Sequence, residues 1–286
     1  MSDRFAAYVA IDWSGAKGKR HKGIAVAEAR GDAPPRLVRP GHIWSRQEVS
    51  DWLVNRAGKE PTLFGFDFSF APPIVERGEY LPGEAGVPAT AREFWAYVDQ
   101  RCDDEDLGAA SFLEKVHRRH FYFGIADGVK AEFVRFRQCD ARLNAQGGRK
   151  TASAYDAIGA AQVAKASFSG MRLLHRLDGK VAIWPFDEVG GYDENESAVV
   201  EIYTRIYLRR AGMTGKKLWS CHDLNEALAG LGSKPVRLRF EPNDHQTDAL
   251  VTAAGMRQLA ETAQPFRPHG LTPEIARSEG WTFGVV

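Results

Sequence analysis

Four side chains set the chemical question. Asp12 closes the apolar run Ala-Tyr-Val-Ala-Ile-Asp (7–12), Asp67 lies in Gly-Phe-Asp-Phe-Ser-Phe (65–70), and His245 and Asp248 stand three apart in Asp-His-Gln-Thr-Asp (244–248). In an open α/β sheet, ligands collect beyond strand ends where the topology switches, so two acids at neighbouring strand ends make a candidate metal site. Hard divalent cations such as magnesium take several oxygen ligands, and a pair of them about 4 Å apart activates water and stabilises a leaving oxygen in phosphoryl transfer. Two aspartates leave that ligand set incomplete. An imidazole and a carboxylate on one face of a helix would extend it. Taken alone, Asp12 equally suits an Asx turn before Gly15, Asp244 suits helix capping better than ligation, and Asp248 suits the helix dipole. Asp67 is harder to set aside, because an acid between Phe66 and Phe68 must find partners or stay neutral.

The elements that would carry these residues follow from patterning. Residues 7–12 are nearly continuous in apolar side chains, as a strand buried on both faces would be. Residues 23–28 read as a second strand and Arg36 to Trp44 as a weaker third, interrupted by Pro40; their short connections predict an antiparallel meander. Ser45 with Glu48 is a capping-box signal, and Val49, Trp52 and Leu53 follow at helical spacing. Residues 62–70 form a fourth strand stopped by Pro72 and Pro73. Between 74 and 150 the pattern loosens into short helical pieces, Arg92 to Cys102 and Ser111 to His120, and reads as an inserted subdomain. Beyond it, Tyr155 to Leu177 predicts a long helix, 181–184 and 198–203 predict strands, and 223–231 predicts a short helix. Val236 to Phe240 is a further possible strand. The segment from 243 starts a helix with Asn243 or Asp244 as cap, a stripe of Leu250, Ala253, Ala254 and Leu259, and small residues that let it lie close to a sheet.

Composition narrows the classes. Lys+Arg 38 against Asp+Glu 37 give a net charge of +1, so no global field recruits nucleic acid or an anionic membrane. Charge is uneven locally: residues 76–114 hold ten acids against three Lys/Arg and 115–150 hold nine Lys/Arg against three acids, so the second stretch is a basic segment. Its Arg118, Arg119, Arg135, Arg137, Arg142, Arg149 and Lys150, beside Phe121, Tyr122, Phe123, Phe133 and Phe136, suit either a nucleic-acid surface or a small aromatic core. Arg205, Arg209 and Arg210 make a weaker basic face. Beside Asp12, Ser14, Lys17, Lys19, Arg20 and Lys22 form a loop that reads as solvated or as a holder of substrate phosphates. Cys102, Cys139 and Cys221 fit neither a disulfide framework nor zinc-ligand spacing. No apolar run approaches the roughly 18–20 residues of a membrane span, and Asp12 interrupts the only early apolar stretch, so a cytoplasmic protein without membrane contact is expected.

Ala-Ile-Asp-Trp-Ser-Gly, Gly-Phe-Asp-Phe-Ser-Phe, Ala-Ser-Phe-Ser-Gly-Met (166–171), Ile-Trp-Pro-Phe (183–186), Val-Glu-Ile-Tyr (200–203) and Asp-His-Gln-Thr-Asp-Ala-Leu together resemble the predicted RNase H-like nuclease family, long catalogued as a domain of unknown function. The resemblance spans the chain and implies one RNase H-like α/β domain over 1–286. Its fold would be a mixed five-stranded sheet, a three-strand antiparallel meander plus parallel strands, with helices on both faces and the 74–150 insertion. It carries the family's acids onto Asp12, Asp67 and Asp248, and a fourth, Glu201, onto a strand usually followed by Tyr-Pro, where this chain has Tyr203-Thr204. The His-x-x-Asp arrangement resembles the terminal helix of some Holliday-junction resolvases, which implies a metal ligand or proton carrier at His245. The implied activity is hydrolysis of nucleic acid with two Mg2+ or Mn2+ ions. Two other functions remain open: an ATP-binding phosphotransferase of the actin or sugar-kinase class, suggested by the loose phosphate-turn match Asp12-Trp13-Ser14-Gly15, and a non-catalytic nucleic-acid-binding protein on the same fold.

Overall fold

The computed structural model describes residues 4–147, 151–158, 163–189, 196–261 and 265–286. Its strands are β1 (Ala7–Asp12), β2 (Ala25–Ala29), β3 (Arg36–Leu37), β4 (Thr62–Phe66), β5 (Ala182–Ile183) and β6 (Ala198–Glu201). Its helices are α1 (Arg46–Ala57), α2 (Ala91–Arg101), α3 (Lys130–Phe133), α4 (Gln138–Ala145), α5 (Val163–Leu177), α6 (Thr204–Arg210), α7 (Cys221–Gly230), α8 (Asp244–Ala260) and α9 (Pro273–Ser278). The sheet has six strands in the order β3-β2-β1-β4-β6-β5, one more than the five expected. The strand beyond the five implied by the family resemblance is β5, two residues within the strand predicted at 181–184, parallel to β6 at the edge.

The meander forms as patterned: β1 pairs antiparallel with β2, and β2 with β3. The third strand is shorter than expected, ending at Leu37 before Pro40, and Trp44 is left with an isolated bridge to His21. The crossover through α1 returns the chain parallel to β1, giving the register Ile11↔Phe66, and β6 continues parallel with Phe66↔Glu201. The C-terminal ends of β1, β4 and β6 therefore lie side by side, with Asp67 one residue past its strand.

Period-two alternation divides β1 between two cores. Val9 and Ile11 join Phe64, Phe66 and the α1, α2 and α5 side chains in one cluster, whereas Tyr8 and Ala10 join Leu63, Val200 and the α8 side chains in the other. The face toward α8 is built of small residues on both sides, Ala10, Ala25 and Ala27 against Ala249, Ala253 and Ala254, so helix and sheet approach closely. Gly65 lies at that contact: a Cβ there would stand 2.7 Å from both Met256 Sδ and Ile202 Cγ2.

Helix starts follow their local chemistry. Ser45 caps α1 by accepting from Glu48 N–H, and Asn243, not Asp244, caps α8 in a capping box with Gln246. Several expected elements differ. Ala154 and Ala157 are not helical, residues 159–162 lie outside the described residues, and α5 begins at Val163. Residues 236–240 form no strand, and 112–120 wind as a π-turn followed by a 3₁₀ turn instead of an α-helix. The segment 74–150 shares the core of the sheet: Tyr80, Phe94, Trp95, Phe112 and Phe121 belong to the same cluster as Val9 and Phe64. Among the described residues, no helix is long and apolar enough to cross a membrane.

Candidate functional site

Strand parity decides which acids meet. Asp12 follows Tyr8 and Ala10 on the α8 face, and Asp67 follows Leu63 and Gly65 on the same face. Helix α8 brings His245 and Asp248 to this end from its first turns. His245 Nδ1 lies 3.1 Å from Asp12 Oδ1, and the Trp13 N–H donates to Asp67 Oδ1 at 2.7 Å. His245 is half-exposed and Asp12 is 9% exposed, so the pair joins solvent to the buried strand end.

The electrostatics of the group are one-sided. Burial pushes the Asp12 carboxyl well above the ordinary aspartate range, and the neighbouring Asp248 and Asp244 charges add to the shift. Asp67 is raised by burial and then by Asp12, against the opposing hydrogen bond from Trp13. Asp248 is raised to about 6 by burial, with Arg205 as its principal opposing cation. Among the described residues, no Lys or Arg stands at ion-pair distance from any of the three; the one basic contact is His245. Around Asp12 and Asp67 the neighbouring charges are acidic, an arrangement that a bound cation would relieve, whereas Asp248 is partly offset by Arg205, His245 and Lys217. The three acids are not drawn tight: among the described residues, the one set of three His, Cys, Asp or Glu ligand atoms within 4.8 Å of each other is Glu84, His117 and His120, elsewhere in the chain.

Glu201 has a different part. Alternation along β6 puts Ala198, Val200 and Ile202 in the α8-side core and Val199 in the other, so Glu201 leaves the strand with the opposite parity to Asp12 and Asp67, although at the strand end it lines one cleft with Asp67 and Asp248. Its oxygens are used by the chain itself: Arg137 Nη1 donates at 2.6 Å, Arg137 Nη2 at 2.5 Å, Thr282 Oγ1 at 2.6 Å and the Phe70 N–H at 2.8 Å. With both oxygens engaged by the chain itself, Glu201, expected as a catalytic residue, anchors the loop after β4.

The basic residues divide similarly. Lys17 pairs with Glu114 at 2.7 Å, Lys19 with Glu105 at 3.2 Å and Arg20 with Glu48 at 2.8 Å. These are exposed pairs of the kind worth about 0–1 kcal/mol, which an arriving phosphate can displace. Lys22 lines a groove that runs between Trp44 and the α8 cap. Ser14 Oγ accepts from the Ala16 N–H and stands beside His245 across Gly23. Among the described residues of 115–150, Phe121 is core, Arg118 and Arg119 pair with Asp127 and Glu84, and Arg137 is buried, so these do not form a basic surface; Arg149 and Lys150 lie outside the described residues. On α6, Arg209 and Arg210 bind Gln146 and Gln258, while Arg205 lines a cleft of about 190 Å³ with Asp67 and Asp248.

The chain matches no family model, and no curated protein and no solved structure matches it.

Two positioning residues escaped the sequence reading. Arg46, wholly buried at the start of α1, donates to Ser14 O at 2.8 Å and Ala16 O at 2.5 Å, which fixes the loop leaving Asp12. Its desolvation lowers its pKa to about 10. Trp13 holds Asp67 by its backbone and Ser169 of α5 by its indole N–H at 2.8 Å. An arginine at the first position of an amphipathic helix carries no local sign of burial; only the returning loop supplies its partners.

Proposed function

We propose that this protein is an RNase H-like, divalent-metal-dependent phosphodiesterase acting on nucleic acid. The observation that carries the reading is the gathering of Asp12, Asp67 and Asp248 beyond adjacent parallel strands without a Lys or Arg partner. Their hard oxygen donors suit Mg2+ or Mn2+, and two such ions when bound would lower the pKa of an attacking water and stabilise the departing oxygen.

The side chains of the chain supply the rest. The Asp12 and Asp67 carboxylates are close enough to act on each other's charge, with Asp67 fixed by the Trp13 N–H. Asp12 accepts from His245 Nδ1, which leaves Nε2 beside Gly23 and Ser14 to take up and release a proton at the solvent edge. Lys17, Lys19, Arg20 and Lys22 belong to the loop that leaves Asp12, and the exposed charge of the first three would suit backbone phosphates. Arg205 sits on the opposite rim, where it moderates Asp248.

The phosphotransferase reading is less well supported. Gly15, its phosphate-turn glycine, is packed against α5, where a Cβ would stand 2.3 Å from Ala166 N, so its backbone is turned to protein and not to a ligand. The deciding experiment incubates the full chain with single-stranded, hybrid and branched substrates in Mg2+ or Mn2+. The wild type should cleave at least one, and Asp12→Asn should lose cleavage by about two orders of magnitude or more, the lower end of what positioned acid–base and ligand groups contribute. Equal cleavage by both proteins overturns the proposal. Absence of cleavage together with an ATP-specific rise in melting temperature favours the phosphotransferase.

A further inference from the structure

Residues 112–120 change helical winding in mid-course. The His117 N–H bonds back to Phe112 O at 2.9 Å, closing a π-turn, and the His120 N–H bonds to His117 O at 3.0 Å, closing a 3₁₀ turn. Side chains three apart in a 3₁₀ turn eclipse one another, so His117 and His120 project to the same side. There they meet Glu84, which follows the turn closed by its own N–H to Leu81 O at 3.1 Å. One ligand atom from each of the three lies within 4.8 Å of the other two.

His117 carries the independent observation. It is 4% exposed, and its Nδ1 is buried without a hydrogen-bond partner. Such an orphan costs about 1–3 kcal/mol, so its persistence needs a reason. Nδ1 is 3.8 Å from Glu84 Oε1, beyond hydrogen-bond range, while Nε2 is 3.1 Å from Tyr97 Oη. The ring is held between Tyr97 and Phe112, with centroids at 5.7 Å and 4.6 Å. If His117 Nε2–H donates to the Tyr97 hydroxyl, the lone pair is fixed on Nδ1 and faces Glu84. That is how an imidazole is prepared for a metal, its second nitrogen oriented by an outer partner. His120 Nε2 lies 3.0 Å from Glu84 Oε1 and 3.2 Å from Arg119 Nε, which donates to it. Burial lowers the pKa of both histidines, the direction that favours the neutral imidazole a metal needs, and Arg119 must give up its hydrogen bond to His120 Nε2 for an ion to bind there.

We propose that Glu84, His117 and His120 form a binding site for a divalent transition ion of the zinc class, separate from the aspartate site at the strand ends. Two imidazoles and one carboxylate are a borderline ligand set that suits zinc or cobalt and ill suits magnesium. Three protein ligands leave a further position for water. Opposing charge is present: Arg77, Arg101 and Arg119 lie around the cluster. Arg119, the nearest, has a side chain 62% exposed and swings outward when the ion enters. The ion would tie the 81–84 turn to the 117–120 turn. Glu114 of the adjoining π-turn grips both Lys17 and Lys165, so the site steadies the loop that follows Asp12.

The test is titration of the metal-stripped full chain with Co2+. One equivalent should produce the visible d–d absorption of low-coordinate cobalt, displaced by Zn2+. His120→Asn and Glu84→Gln should each weaken binding by about 100-fold or more with unchanged circular dichroism, and Tyr97→Phe by about 10-fold as an outer-partner loss. Asp12→Asn should leave this titration unchanged. Absence of stoichiometric Co2+ and Zn2+ binding, or wild-type affinity in both ligand variants, overturns the proposal. Should either variant misfold, X-ray absorption of the zinc-loaded wild type decides: two imidazoles and no sulfur support the site, and one imidazole or any thiolate overturns it.

Discussion

Asp248 shows how a single side chain at this site trades stability for chemistry. Its folded pKa of about 6 stands above its ordinary value of 3.8 because burial disfavours the charged form. Between those values the folded chain binds more protons than the unfolded one, so this residue makes stability fall as pH rises from about 4 to about 6, and the loss is complete above that window. A shift of this size corresponds to about 1–3 kcal/mol. Asp248→Asn should therefore be more stable than the wild type at pH 7 in EDTA, and equal to it near pH 4. Urea titrations at the two pH values check this, and a variant less stable at pH 7 would contradict the burial argument. The same substitution should abolish cleavage, because function needs the charge that stability would discard. Asp12, Asp67, His245 and Asp248 were all legible in the sequence, as acids where apolar strands stop or as polar residues at the start of an apolar helix. Their convergence was legible only as an expectation, since it depends on strand parity and on α8 packing across β1 and β2.

Among the elements, the loop after β4 is the one whose support the sequence concealed. Glu201 reads as a fourth active carboxylate because it ends a strand beside Asp67, yet alternation gives it the opposite parity. Arg137 arrives there from the start of α4, 64 residues earlier, and also binds Asp140. Both partners are buried, so Arg137→Met should cost about 3–5 kcal/mol by stranding the Glu201 charge, whereas Arg137→Met with Glu201→Leu should recover much of that loss. Chemical denaturation of the two variants checks it. A single-variant cost below about 1 kcal/mol would show that the pair is not holding the loop. The helices divide the same way. Ser45 and Asn243 announced α1 and α8 through capping, a contact made within four residues. The short β3 and the late start of α5 were hidden, because what limits them is pairing and packing with distant segments.

Taken together, the protein is a six-stranded mixed sheet with a helical layer on each face and its acids converging at one end. If divalent ions bind there, folding and binding are linked. Mn2+ at about 100 times its dissociation constant should add about 2.7 kcal/mol of stability, visible as a rise in melting temperature that Asp12→Asn removes. An undiminished rise in Asp12→Asn, with Glu84→Gln also in place to silence the second cluster, would place the ion away from the strand ends. By itself the sequence determined the meander, the fourth strand, the caps and the candidate acids, all of which depend on period, turn chemistry or residue type within short windows. Only the tertiary structure decided that Glu201 is an anchor, that 74–150 shares the sheet's core, that Arg46 holds the Asp12 loop, and that Glu84 meets His117 and His120. Each of those outcomes depends on burial and on partners dozens of residues away, and burial changes what a charged group can do without changing the sequence around it.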